Sequence, residues 1–275
     1  MSYIPYAISV VIPTYNRAHL IKASIQSVLD QTLQPYEIIV VDDFSTDNTE
    51  EVVNSFNSPL IKYVKNQRKK GANGARNTGI LMAKGEFIAF HDSDDTWYGE
   101  KLKEQYNILR NNEDIYLCFC SLESFDVLDK KIAIIPKKYA ATDKIDKILK
   151  QKNIISTQTI LLRNELENNQ LFDEDIKRFQ DWDFILCILK NNKKIFHLNK
   201  VLVKQKINES SISVSNNFLS NYWILVQKHP FLKRNGIFAQ QLYYKTSFNE
   251  QKNIKNFALY IFTTIIAKFY SKIFY

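Results

Sequence analysis

Glycine, proline and cysteine are scarce in this 275-residue chain, with six, six and three copies. So little glycine and proline leaves no room for low-complexity linkers, and no internal repeat is visible. Cys118, Cys120 and Cys187 suggest neither a disulfide framework nor a zinc site. Cys118 and Cys120 lie two apart in the apolar run at 115–121, so a strand there turns both to one face, and core packing is their expected role. Nowhere does the chain reach the ~18 uninterrupted apolar residues of a membrane span. The N-terminus lacks a charged start followed by an apolar signal segment, so the expected location is the cytoplasm.

Acidic residues nearly vanish from the last third. Residues 1–183 hold 23 Lys+Arg against 27 Asp+Glu, a net −4, whereas residues 184–275 hold 14 against 2, a net +12. The basic tail suits an anionic surface, or is simply a solvated basic face. Nucleic acid is not expected as a partner, because phosphates would repel the acidic first two-thirds. What remains is ordinary for a folded protein: 45% apolar and 24% charged residues, enough for a substantial core.

The first hundred residues alternate two periodicities. Residues 8–13 (ISVVIP) form a β-branched run suited to a strand covered on both faces. Asn16 is placed to cap the helix that follows, where Leu20, Ile21, Ile25, Val28 and Leu29 recur at helical spacing. Residues 37–41 (EIIVV) read as a second buried strand, ended by Asp42 and Asp43. Asp47 or Thr46 caps a helix reaching Asn54; 61–64 makes a third strand, 73–83 a helix and 87–90 (FIAF) a fourth strand. This order predicts a Rossmann-like, mostly parallel sheet flanked by helices, whose ligands gather beyond the carboxyl ends of the strands. Polar residues fall there three times: at 14–16, at Asp42 and Asp43, and at 92–95. Farther on, helices are expected at 100–111, 143–151 and 181–190, and strands at 116–121, 132–136, 157–163 and 201–207. A boundary is expected only near 215, where Ser/Asn residues precede a helical tail.

Asp92, Asp94 and Asp95 crowd three carboxylates within four residues, which is costly unless a cation binds or water screens them. Mg2+ and Mn2+ prefer such oxygen ligands and share them with substrate phosphates. An EF-hand is excluded, since Trp97 stands where the loop needs Gly and Lys103 where it needs Glu. The alternative is a solvated turn in which Asp95 caps the next helix. Before this cluster, residues 67–77 combine Arg68, Lys69 and Lys70 with Gly71, Gly74 and a helix start, a combination that suits an anion. The loop is neither a Walker motif nor a dinucleotide fingerprint.

Four stretches, SVVIPTYNR (9–17), EIIVVDDFSTDNT (37–49), GANGARNTGI (71–80) and GEFIAFHDSDD (85–95), resemble family 2 glycosyltransferases of the GT-A fold in content and order. The resemblance is good over residues 8–100, looser to about 213, and absent beyond. It implies a nucleotide-diphospho-sugar donor, usually a UDP-sugar, and a divalent metal (Mn2+ or Mg2+). By position it puts Pro13 and Tyr15 at the base and ribose, Asp43 with Asp42 at the base N–H, and Arg76 at the nucleotide. Asp92 and Ser93 fall on the ribose or sugar side, and Asp94, with Asp92, at the metal. The physics agrees: uracil offers one imide N–H to a carboxylate, Tyr15 offers a stacking face, and the ion neutralises the departing diphosphate.

A second chemical piece is Gln180–Asp181–Trp182–Asp183, opening a helix. From these residues alone, Asp181 caps the helix and Asp183 favours its N-terminal dipole. The resemblance instead makes Asp181 the catalytic base that takes the acceptor hydroxyl's proton in an inverting transfer. The chain departs from the family pattern at Gln180, where an acidic residue is usual, and at Lys206 and Asn208, where many relatives have Arg and His. His91 stands where relatives often have Leu, so packing is its expected role.

The expectation is a GT-A-like α/β domain over 1–215, with a nucleotide-sugar half (1–100) and an acceptor half (101–215), then a basic helical C-terminal extension (216–275). It would transfer a hexosyl or N-acetylhexosaminyl group to a cell-surface glycan acceptor such as lipopolysaccharide or capsule, free or lipid-linked. The apolar aromatic stretch at 257–267, followed by Lys268 and Lys272, either lies peripherally on the inner membrane face or packs on the domain. Two rivals are a sugar nucleotidyltransferase, which would carry a Gly-rich phosphate loop where 14–17 reads TYNR, and a non-catalytic binding module, suggested by Gln180 and Asn208.

Overall fold

The computed structural model describes residues 3–137, 145–165, 171–207, 218–233 and 258–262. β1 (Ile4–Thr14), α1 (Ile21–Leu29), β2 (Glu37–Asp42), α2 (Thr49–Asn54), β3 (Ile61–Lys65), α3 (Ala72–Met82) and β4 (Gly85–Phe90) alternate as the periodicities predict. The four strands pair in parallel in the order β3-β2-β1-β4. The uninterrupted apolar runs follow from burial on both faces. Val10 and Ile12 enter one core cluster with α1 residues Ile21, Ile25 and Val28, while Val11 enters the other with Ala75 and Ile80 of α3. The strand order reverses at β1, with β2 on one side and β4 on the other, so the crevice past their carboxyl ends is where this topology gathers ligands.

The chain continues through β5 (Thr96–Trp97), α4 (Lys101–Asn111), β6 (Ile115–Phe125), β7 (Lys131–Ile135), α5 (Ile145–Leu149), β8 (Ile160–Arg163), α6 (Gln180–Lys190), β9 (Lys194–Lys206) and α7 (Phe218–Lys228). The sheet runs on as β4-β8-β6-β9-β5, and β7 pairs with β6 off this path. Here the pairing is mixed: β8 lies antiparallel to β4 and β6, β9 parallel to β6, and β5 antiparallel to β9. The parallel, Rossmann-like part thus ends at β4. β9 begins at Lys194 rather than 201, because a register shift lets exposed Asn199 and Lys200 interrupt the apolar pattern. Cys118 and Cys120 are fully buried in the core.

Two local expectations change. Asn16 does not cap α1, whose N-cap is Leu20; it takes a left-handed φ of 51° and its Oδ1 accepts the Thr46 N–H at 2.8 Å. Asp95 does not cap α4, which begins after Glu100. Asp47, by contrast, does receive the first N–H of α2, from Thr49 at 3.1 Å. Near the C-terminus, Leu225, Val226 and Leu232 join the same core cluster as α6. The expected boundary near 215 and most of 257–267 lie outside the described residues. Among the described residues no helix is long and apolar enough to cross a membrane.

Candidate active site

The carboxyl ends of β1, β2 and β4 and the start of α3 open on one cavity of about 670 Å³. Pro13, Tyr15, Asp43, Arg76, Asp92, Ser93 and Asp94 all line it, joined by Thr14 and Arg17. Asp42 does not. Its carboxylate is fully buried, accepting from Lys65 Nζ at 2.8 Å and from the Ser45 backbone N–H. Its place as a nucleotide-base partner is therefore corrected: Asp42 pairs in register with Lys65 on β3, whose ammonium holds the carboxyl below its ordinary range against the cost of burial. Asp43, one residue on, turns to the cavity side. It accepts from Asn66 Nδ2 at 2.7 Å and from the Gly71 N–H at 2.8 Å.

The loop into α3 is shaped by two glycines. Gly71 has φ 129°, a conformation that side chains resist, and this aims its N–H at Asp43. A Cβ at Gly74 would lie 1.8 Å from the Lys69 carbonyl oxygen, so no side chain fits there. The basic side chains do not form the anion site expected of them. Arg68 pairs with Glu174 and Lys69 with Asp175, far along the chain, and only Lys70 stays near the cavity, 5.2 Å from the Tyr15 ring centre. Asn73 and Asn77 tie down the same strap, residues 172–176, donating to the carbonyl oxygens of Asp173, Ile176 and Phe172 at 2.7–2.9 Å. What remains for an anion is the α3 N-terminus itself, with Arg76.

Within the acidic cluster each carboxylate has a different neighbour. Asp92 accepts from Arg76 at 2.9 Å, and Asp94 lies 3.5 Å from Arg17. Asp95 faces inward, accepting from Gln158 Nε2 at 2.7 Å and the Lys206 N–H at 3.3 Å, and so ties the cluster to β8 and β9. Burial, then Asp92, raises the Asp94 carboxyl above its usual range, and burial raises Asp95 further. His91 is buried beneath them, its ring centre 4.3 Å from that of Trp97, with its pKa lowered to about 3 by burial and then by Lys101. It packs as a neutral ring, facing the core.

Asp181 opens α6 and is half-buried. Its carboxylate accepts the Trp182 N–H at 2.8 Å. Burial lifts this carboxyl above its ordinary range; Asn153, the Trp182 N–H and Arg76 oppose that, and Asp92 adds to it. Arg76 and Asp92 are thus within electrostatic reach, although Asp181 stands back from the cavity lining. Asp183 does more than favour the helix dipole: Lys228 Nζ and His229 Nε2 each reach it at 2.8 Å. Cys187 stands beside Asp183 and His229 at distances a metal could bridge, but the Lys228 ammonium already neutralises that carboxylate. Sequence reasoning missed this cluster, as it missed Arg17 and Gln158. Only the i, i+4 spacing of Asp183 and Cys187 hinted at a shared face. Asn208 lies outside the described residues.

The family model described as Glycosyl transferase family 2 matches residues 9–168. The chain belongs to glycosyltransferase family 2. As a member of that family it is an enzyme that transfers sugars. It is 36% identical over 84% of its length to the UDP-Glc:alpha-D-GlcNAc-diphosphoundecaprenol beta-1,3-glucosyltransferase WfgD of Escherichia coli, covering 98% of that protein. It is 29% identical to a putative teichuronic acid biosynthesis glycosyltransferase, TuaG, of Bacillus subtilis, with 82% of this chain and 87% of that protein aligned. Among solved structures, S. aureus TarS 1-349 with UDP-GlcNAc superposes with a TM-score of 0.71 at 20% identity, over 94% of this chain and 79% of that one. The same TarS fragment with UDP gives 0.61 at 25% identity, over 74% of this chain and 61% of that one. The fold is GT-A.

Family membership sets aside the sugar nucleotidyltransferase alternative. The cavity residues fit a divalent metal and a polar donor. Asp92 and Asp94 offer hard oxygen ligands, and a cation beside Asp94 would offset the burial and the Asp92 charge that together raise its carboxyl. Thr14 Oγ1 and Arg76 Nε are buried at the cavity with no hydrogen-bond partner, as groups that meet a ligand are.

Proposed function

We propose that this family 2 glycosyltransferase moves a sugar, with inversion, from a UDP-sugar to a lipid-linked or cell-surface glycan acceptor. One observation carries the reading: residues from four separate motifs line one cavity, and a burial-raised carboxyl, Asp181, stands behind that lining within electrostatic reach of Arg76 and Asp92. Tyr15 and Pro13 would hold the base, Asp43 its N–H, and Arg76, Asp92 and Ser93 the ribose and sugar side. A divalent ion held by Asp94, with Asp92, would supply charge neutralisation for the departing diphosphate. The acceptor hydroxyl oxygen attacks the anomeric carbon as the bond to the diphosphate breaks, and its proton passes to Asp181. Burial suits that task, because a carboxyl lifted above its usual range is a stronger base.

The relatives support the substrate classes. WfgD is named for a UDP-glucose donor and a diphosphoundecaprenol-linked GlcNAc acceptor, and it aligns over nearly its whole length. The test is transfer from a panel of UDP-sugars, with Mn2+ or Mg2+, to a GlcNAc-diphospho-lipid acceptor. Transfer should be lost in Asp181→Asn while UDP binding persists. UDP binding without turnover on any lipid-linked or polysaccharide acceptor would favour the binding-module reading instead.

A further inference from the structure

The β6–β7 hairpin carries aliphatic side chains outward to its tip. Val127 is 67% and Leu128 85% exposed, and Ile132 on β7 is 55% exposed. The tip is a built turn. Asp126 Oδ1 accepts the N–H groups of Leu128 and Lys130 at 3.0 and 2.8 Å, the Asp126 N–H donates to the Lys130 carbonyl at 3.0 Å, and Asp129 takes a φ of 58°. This self-bonded loop holds residues 127 and 128 away from the protein, where they have no packing role.

The charges around the tip are sorted. Glu123 pairs with Lys131 and bonds Tyr98, Asp129 pairs with Lys206, and the Asp126 carboxylate is held by the N–H groups of its own turn and keeps its charge. Lys130 is exposed with no ion pair among the described residues, and Lys204 Nζ lies 4.6 Å from the Phe125 ring centre, so with Lys131 and Lys206 four cations face three carboxylates at the turn end of the hairpin. The hairpin is also joined to the cavity. Ile207 lines the cavity mouth, and its N–H donates at 2.9 Å to the carbonyl of Phe125, the residue just before the turn.

We propose that this hairpin docks the enzyme on an anionic bilayer by inserting Val127 and Leu128 at the interface, with Lys130 on the headgroups. A convex two-residue tip is far smaller than the roughly 800 Å² that each partner buries in a stable protein interface, but it suits shallow insertion in lipid. Docking would hold the cavity mouth at headgroup level, where the sugar of a lipid-linked acceptor lies; in that sense it rests on the acceptor reading above.

The experiment is vesicle flotation of the full chain, without donor or acceptor, on phosphatidylethanolamine–phosphatidylglycerol vesicles and on phosphatidylcholine vesicles. The wild type should float with the anionic vesicles, and V127D/L128D should lose binding by about tenfold. Transfer to a water-soluble, short-chain acceptor should be unchanged in that variant, since neither residue lines the cavity. Failure of the wild type to bind anionic vesicles, or equal binding by the variant, would overturn the proposal. So would a shift from dimer to monomer in the variant with vesicle binding intact, which would assign the tip to a second copy of the chain. Because flotation needs neither substrate, it fails or succeeds independently of the sugar-transfer reading.

Discussion

In residues 3–100 every polar group of the cavity sits within a few residues of a parallel strand end or at the start of α3. In the second half, the groups that reach the same region lie between antiparallel or mixed strands: Gln158 before β8, Glu174 and Asp175 on the strap, Asp181 at the start of α6, and Lys206 at the end of β9. The first arrangement is local, because a parallel strand delivers its next residues to one sheet edge whatever follows. The second is long-range, and it works through partners about a hundred positions apart. Under the proposed function, the first half would supply the groups that meet the donor, and the second would brace them and align the chemistry.

Asp181→Asn tests that division most severely. With the proposed proton acceptor removed, kcat should fall by about a thousandfold, while UDP affinity measured by calorimetry stays within about twofold. Loss of UDP binding would erase the division. Asp94→Asn is the mirror experiment: UDP affinity in Mn2+ should weaken by about a hundredfold, with little change when metal is left out. Undiminished Mn2+-dependent binding would remove Asp94 from the metal site. A gentler probe is His229→Ala, which breaks one bond to Asp183 and leaves Lys228 in place. Denaturant unfolding should report a loss of about 1–3 kcal/mol, with UDP affinity unaltered because the change lies on the second-half side.

At neutral pH, where this group no longer titrates, the smallest effect is that of His91. Its pKa of about 3 lies below the ~6.5 of an unfolded histidine, so between those values the unfolded chain binds a proton that the folded one does not. Stability from this group is therefore complete above about pH 6.5 and is lost progressively as pH falls toward 3. The slope is at most about 1.4 kcal/mol per pH unit for one proton. His91→Leu should make the acid decline shallower without abolishing it, since His197 is also held low, at about 4. An unchanged decline in urea melts across that range would show that His91 is not neutral in the folded protein.

The parallel strands were legible because each is buried on both faces and so reads as an unbroken β-branched run. Asp92, Asp94 and Asp43 were legible as site residues because they follow such runs. Between Asp42 and Asp43 there was nothing local to choose: successive residues at a strand end point to opposite sides, and it is Lys65 on the neighbouring strand that claims Asp42. Arg68 and Lys69 looked like an anion site for the same reason, since their acidic partners on the strap lie about a hundred residues further on. β5 went unseen because a two-residue strand has no periodicity to detect.

The amino-acid sequence by itself determined the alternating half and the kinds of group gathered at its strand ends, since strand burial and turn chemistry act over a few residues. Only the tertiary structure decided the strand order with its reversal at β1, which of two adjacent carboxylates faces the cavity, that Asp181 comes within electrostatic reach of Arg76 and Asp92, and that two aliphatic side chains are held out at a hairpin tip. Those outcomes depend on partners brought together by folding, and on the burial that folding imposes.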